Sequence, residues 1–114
     1  MEIINLTLHD VTIKMPDGST KVIPKSGMSV RCDIPMEQSE SIDGIPTKVK
    51  RLDRISTCLP APEDGKIFLV SSMVLDACPA RHDLIAPDTS KGGAIRDVNG
   101  RIIAVRGVQR NPIR

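Results

Sequence analysis

Arginine concentrates where this chain has fewest acids. From Arg96 onward the sequence carries Arg96, Arg101, Arg106, Arg110 and Arg114 against a single acid, Asp97. A guanidinium is a planar fork of donors that matches phosphate and carboxylate. Arg96 and Arg101 flank the turn signal Val98-Asn99-Gly100, which predicts them side by side on paired strands. Arg106 follows further along the return strand, just before Gly107. Such an arrangement suits an anion, for example a nucleotide phosphate. A solvated strand face with a loose tail accounts for the same residues, because exposed arginine is common.

Four further groups are candidates. The loop Asp88-Thr89-Ser90-Lys91-Gly92-Gly93 has the parts of a phosphate cradle, with backbone N–H groups at the glycines and donors on Ser90 and Lys91. It lacks the full phosphate-loop pattern, so a plain surface loop reads equally from Ser90, Lys91 and Gly92. Ser71 and Ser72 stand between an apolar strand and a short helix, where they either cap the helix or receive an anion. No G-x-S-x-G elbow accompanies them, which argues against a serine hydrolase. His9 precedes Asp10 and suits a local turn hydrogen bond or a ligand contact. His82 lies beside Asp83, which can orient a base, and Cys78 is close in sequence. Pro79 breaks helical spacing between Cys78 and His82, and Cys78 falls on the apolar side of its helix, so a buried structural thiol is expected. Cys32, Cys58 and Cys78 show no close pairing, so no metal, no cofactor and no disulfide framework are expected.

The composition narrows the ligand chemistry. The 114 residues are 39% hydrophobic and 26% charged with a net charge near +2, ordinary values for one globular domain. The aromatic content is not ordinary: Phe68 is alone, with no Tyr and no Trp. A base-stacking RNA platform and an aromatic cage for a quaternary amine are both excluded. No sequence-specific nucleic-acid binding is expected. No apolar run reaches the length of a membrane span, and Met1-Glu2-Ile3-Ile4 lacks the basic start of a cleavable signal. The expectation is a reduced, cytoplasmic protein.

These residues must be positioned by short elements. Nine Pro and eight Gly divide the chain, and β-branched residues favour strands. The expected fold is mainly β (a β-rich α+β fold), one domain over 1–114, with a tail from about 108 to 114. Strands are predicted at 2–6, 10–15 and 20–24, the last two closed by Pro16-Asp17-Gly18-Ser19. Met28 to Ile34 alternates with Met28, Val30, Cys32 and Ile34 on one face. Residues 35–41 read as strand or loop, Asp43-Gly44 as a hairpin turn, and 45–52 as a basic edge strand. Lys66 to Val70 predicts a central strand. One short helix is predicted near residues 72–78, and a second hairpin over 94–106. A chain this size buries a modest core, so homo-oligomerisation is expected.

Three segments carry a resemblance: Ile4-Asn5-Leu6-Thr7-Leu8-His9-Asp10-Val11, Leu59-Pro60-Ala61-Pro62-Glu63-Asp64-Gly65-Lys66-Ile67-Phe68-Leu69-Val70-Ser71, and Ala94-Ile95-Arg96-Asp97 through Arg106-Gly107. Their order and spacing resemble a family of small, mostly unassigned proteins of bacteriophages, prophages and actinobacteria that begin like N-L-T-P-H-x-V. Leu8 departs from that pattern, where Pro is common. No catalytic residue carries over. The resemblance implies a bacterial host cell and a phage-type role. The first expectation is a non-enzymatic protein that sequesters an anionic, nucleotide-like signal, a counter-defence sponge. The second is a virion or host-protein-interaction module. The third is a phosphodiesterase or lyase with His9 and His82 as its acid–base pair.

Overall fold

The computed structural model describes residues 1–28, 30, 32–33, 35–51, 56–57 and 59–112. In chain order the elements are β1 (Glu2–Asn5), β2 (Val11–Lys14), β3 (Thr20–Ile23), β4 (Cys32–Asp33), β5 (Met36–Ile42), β6 (Ile45–Lys50), β7 (Ser56–Thr57), β8 (Lys66–Leu69), α1 (Ser72–Ala77), β9 (Leu84–Pro87), β10 (Ala94–Arg96), β11 (Ile102–Val105) and β12 (Val108–Gln109). The fold is mainly β with one short helix, as the composition predicts.

One sheet has the order β1-β8-β9-β12, with β1, β8 and β9 parallel and β12 antiparallel to β9. Parallel neighbours cannot be joined by a tight turn and need a crossover. Between β8 and β9 that crossover is α1. Ser71 caps it, its Oγ accepting the Val74 N–H at 3.3 Å. At the other end Asn111 Nδ2 lies 2.9 Å from the Leu75 carbonyl and 3.1 Å from that of Cys78, adding a side-chain donor to carbonyls that already accept the Cys78 and Arg81 N–H groups.

The second sheet has the order β10-β11-β2-β3 and joins two hairpins through the parallel pair β11–β2. The two sheets and the helix form three layers. Phe68, Leu84 and Ala86 pack with Val74 and Leu75 of α1. Leu69 and Ile85 point the other way and pack with Ile13, Ile23 and Val105 of the second sheet. β8 and β9 are therefore covered on both faces. That is why Ile67 to Val70 and Leu84 to Ala86 read as unbroken apolar runs rather than alternating ones.

β5 and β6 form a separate two-stranded arm closed by Asp43-Gly44. Asp43 (φ 52°) and Gly44 (φ 78°) both lie in the left-handed region, the backbone a two-residue hairpin loop demands. The radius of gyration is 16.5 Å. A compact domain of this length would measure about 13 Å, so the outline is drawn out.

Two expectations meet a different arrangement, and one strand has no counterpart among them. The alternating run from Met28 to Ile34 is strand only at Cys32–Asp33 among the described residues; Val30 packs on the core but Met28 is exposed. Ser29, Arg31 and Ile34 lie outside the described residues, as do Cys58 and Arg114. Leu84–Pro87 is a strand that short length and the flanking Pro79 and Pro87 conceal in the sequence. Val108–Gln109, the start of the expected tail, pairs with β9.

Candidate functional site

β1 and β8 end side by side, with Asn5 opposite Leu69. Beyond their carboxyl ends opens a cleft of about 540 Å³. Its floor is Leu6, Val70 and Val74, all buried, and its rim includes Leu8, half-buried Val30, Thr7, His9 and Ser71. The crevice outside the carboxyl ends of parallel strands is a recurrent ligand position in sheets of this kind. The volume lies within the range of small-molecule sites, roughly 300–1,000 Å³.

Asn5 shapes one wall. It is 1% exposed at the end of β1. Its Nδ2 donates to the carbonyls of Ile23 (2.9 Å) and His9 (3.0 Å), and its Oδ1 accepts the Thr7 N–H at 2.9 Å. The Thr7 hydroxyl lies 2.6 Å from Asn5 Oδ1 and 2.8 Å from the His9 carbonyl, so its single proton is spent inside the loop. The Asn5 carbonyl accepts from the N–H (3.0 Å) and hydroxyl (2.7 Å) of Ser26. One buried amide thus bends residues 6–9 back over the strand end and ties that loop to β3. With the backbone fixed, the exposed His9 imidazole stands at the rim and makes no hydrogen bond within the described residues. Ser71 Oγ accepts from the helix, which leaves its own O–H free to donate.

Of the candidates read from sequence, His9 and Ser71 meet in this cleft although 62 positions separate them. Ser72 does not line it; its Oγ lies 3.2 Å from Gln109 Nε2 and links α1 to β12. His82 lies at the other end of the sheet, two residues before β9, beside Pro79, Ala80 and Pro112. At least the length of β8, about 13 Å at 3.3 Å per residue, separates it from His9. Nor does Asp83 orient it. Both Asp83 carboxylate oxygens are taken by Arg81, through Nε at 2.8 Å and Nη2 at 2.8 Å. The guanidinium holds the Asp83 carboxyl below its usual range, and the carboxylate raises Arg81 in turn. Cys78 packs half-buried against the core.

The arginines occupy other surfaces. Arg96 Nη1 donates to the Gly100 carbonyl of its own turn at 2.6 Å. Arg101 is exposed, and its N–H donates to Asp97 Oδ1 at 3.0 Å, as does the Asn99 N–H at 2.8 Å. The 88–93 loop does reach the base of this hairpin, where the Arg106 N–H donates to the Gly93 carbonyl at 2.8 Å. Within the loop the donors of Ser90 are already used. The Ser90 N–H (3.1 Å) and hydroxyl (2.6 Å) both bind Asp88 Oδ1 and hold that carboxyl below its usual range. A carboxylate of the chain itself thus takes the Ser90 donors that a phosphate would need. Lys91 and Gly92 are exposed beside it.

The sequence reading missed Asn5, Thr7 and the apolar floor. The available signal was an amide ending an apolar strand, followed at i+2 and i+4 by Thr7 and His9. No group of three or more His, Cys, Asp or Glu suited to a metal occurs among the described residues. No helix there is long and apolar enough to cross a membrane.

Fold and site together define a three-layer, β-rich protein with an open, largely apolar cleft at the ends of parallel strands. No known protein family, curated protein or solved structure matches the chain.

Proposed function

We propose that this chain is a non-enzymatic binding protein that holds a small, anionic, nucleotide-like ligand in the cleft at the ends of β1 and β8. The observation that carries this reading is the convergence of His9 and Ser71 there. Ser71 offers a free hydroxyl proton, and His9 offers a ring N–H donor. No carboxylate lines the cleft among the described residues, so nothing there repels an anion. The aliphatic floor would clamp the apolar part of the ligand, in place of the aromatic stacking this chain cannot supply. Sequestration is favoured over cleavage because His9 is the one titratable side chain lining the cleft among the described residues. General acid–base cleavage needs a second group within about 3 Å of the reacting proton, directly or through a water. The phage-type resemblance supplies the biological setting, a bacterial host cell in which such a protein removes a defence signal without destroying it.

The test is isothermal titration with cyclic dinucleotides and cyclic ADP-ribose isomers, followed by recovery of the ligand from denatured protein. Intact ligand and an affinity weakened about tenfold or more by His9→Ala or Ser71→Ala are expected, as for loss of one hydrogen bond to a charged group. Heat with no member of the panel, or recovery of a cleaved product, would overturn the proposal.

A further inference from the structure

The cleft beyond β1 and β8 keeps its polar side chains apart from its floor. The floor is aliphatic, built from Leu6, Val70 and Val74, none more than 3% exposed. The N–H groups of all three residues are spent inside the protein. That of Leu6 donates to the Leu69 carbonyl at 2.8 Å, that of Val70 to the Ile85 carbonyl at 2.8 Å, and that of Val74 to Ser71 Oγ at 3.3 Å. The floor therefore offers a ligand no donor, from side chain or backbone.

The rim carries three polar side chains among the described residues, Thr7, His9 and Ser71. The Thr7 proton is held between Asn5 Oδ1 and the His9 carbonyl. Two donors remain, the Ser71 hydroxyl and the His9 ring N–H, and an anion bound at the rim takes both. Nucleobases are told apart by the donors and acceptors on their edges. A base turned edge-on into this floor would leave those groups dry and unpaired, which costs free energy. A base laid face-on buries its ring against the three aliphatic side chains and keeps its edge toward solvent at the open mouth.

We infer that the cleft selects its ligand by anion and ring and not by which base the ring is: the phosphate sits on His9 and Ser71, and the base lies face-on against Leu6, Val70 and Val74. The ligand class is then a set of nucleotides that share one phosphodiester scaffold and differ in base. A site that hydrogen-bonds a polar group rejects analogues lacking it by orders of magnitude, whereas an apolar pocket separates near-isosteres far less. The inference rests on the anionic ligand proposed for this cleft and adds the basis of its selectivity.

Isothermal titration of the full chain with cyclic di-AMP, cyclic di-IMP and cyclic di-GMP tests it, with cyclic ADP-ribose and its hypoxanthine counterpart as a second scaffold. Within each scaffold the ligands share backbone and ring size and differ only in edge groups. Their dissociation constants are expected to agree within about tenfold. A base-free cyclic diribose phosphate is expected to bind about tenfold or more weakly still, because it gives up the floor contact. A spread beyond about tenfold among the purines, or a base-free backbone within about tenfold of them, overturns the inference and leaves the anion site standing. If no purine ligand of either scaffold binds, the anionic ligand itself is refuted, and this inference falls with it.

Discussion

Replacing Asn5 by Ala removes the amide that joins β1, β3 and the 6–9 loop. The two carbonyls it serves, of Ile23 and His9, and the Thr7 N–H lose their partners together. At about 1 kcal/mol net for each of three hydrogen bonds, the expected loss is about 3 kcal/mol. The loss grows if the freed groups stay dry, because an unsatisfied buried group costs more than a bond exchanged for water. Against a total of roughly 5–15 kcal/mol this is a large fraction, and it corresponds to a fall in Tm of order 10 °C. Asn5→Asp separates hydrogen bonding from volume. The introduced carboxyl keeps the acceptor but, once ionised, turns an oxygen toward two carbonyls at donor distance. Its folded pKa is therefore raised above the unfolded value of about 3.9. The sign follows from linkage: a raised carboxyl contributes its stability below the unfolded pKa and loses it as pH rises through the folded one. The deficit of Asn5→Asp should thus deepen from pH 4 to pH 7, while that of Asn5→Ala stays nearly level. Urea unfolding followed by far-UV circular dichroism at both pH values reads this directly, and the lack of Trp and Tyr makes intrinsic fluorescence a poor substitute. An Asn5→Ala loss below about 1 kcal/mol, or an Asn5→Asp deficit flat in pH, would refute the assignment of Asn5 as the tie between sheets.

Gly93→Ala would bring a Cβ against both the carboxylate and the backbone carbonyl of Asp88. A loss of about 1–3 kcal/mol is expected in thermal melts, and Asp88→Ala should not fully rescue it because the carbonyl remains. Arg81 holds Asp83 below the usual carboxylate range, so this pair stabilises the fold above about pH 4 and the contribution disappears as pH falls through the lowered value. In acid titrations Asp83→Asn should unfold with a shallower pH dependence than the native chain; an unchanged slope would show that the pair contributes nothing. Asn111→Ala leaves the Leu75 and Cys78 carbonyls without their side-chain donor, and a loss of about 1 kcal/mol is expected in urea unfolding.

The chain announces its local geometry. Asp43-Gly44 marks a hairpin because a two-residue loop needs left-handed backbone that few residues adopt, and Gly100 (φ 82°) supplies the left-handed residue of the longer 97–101 loop. Ser71 marks the start of α1 because a hydroxyl before an apolar helical run can take up an open N–H. The run Lys66 to Val70 marks a strand buried on both faces. None of these signals says which strand lies beside which. An apolar run specifies that it is covered, not what covers it, and the β1–β8 pairing joins segments about sixty residues apart. For the same reason the candidate site was only partly legible. His9 and Ser71 stand out as isolated side chains with possible chemistry, but what brings them together is that pairing and the Asn5 amide behind the loop.

The near-absence of aromatics, the excess of strand formers and the positions of the turns were determined by the sequence, because each depends on residue type or on a few adjacent torsions. The cleft, the occupation of the 88–93 loop by Asp88, and the separation of His82 from His9 were decided by tertiary structure. They depend on long-range strand register, which is selected by burying two faces of one sheet at once and not by any single segment.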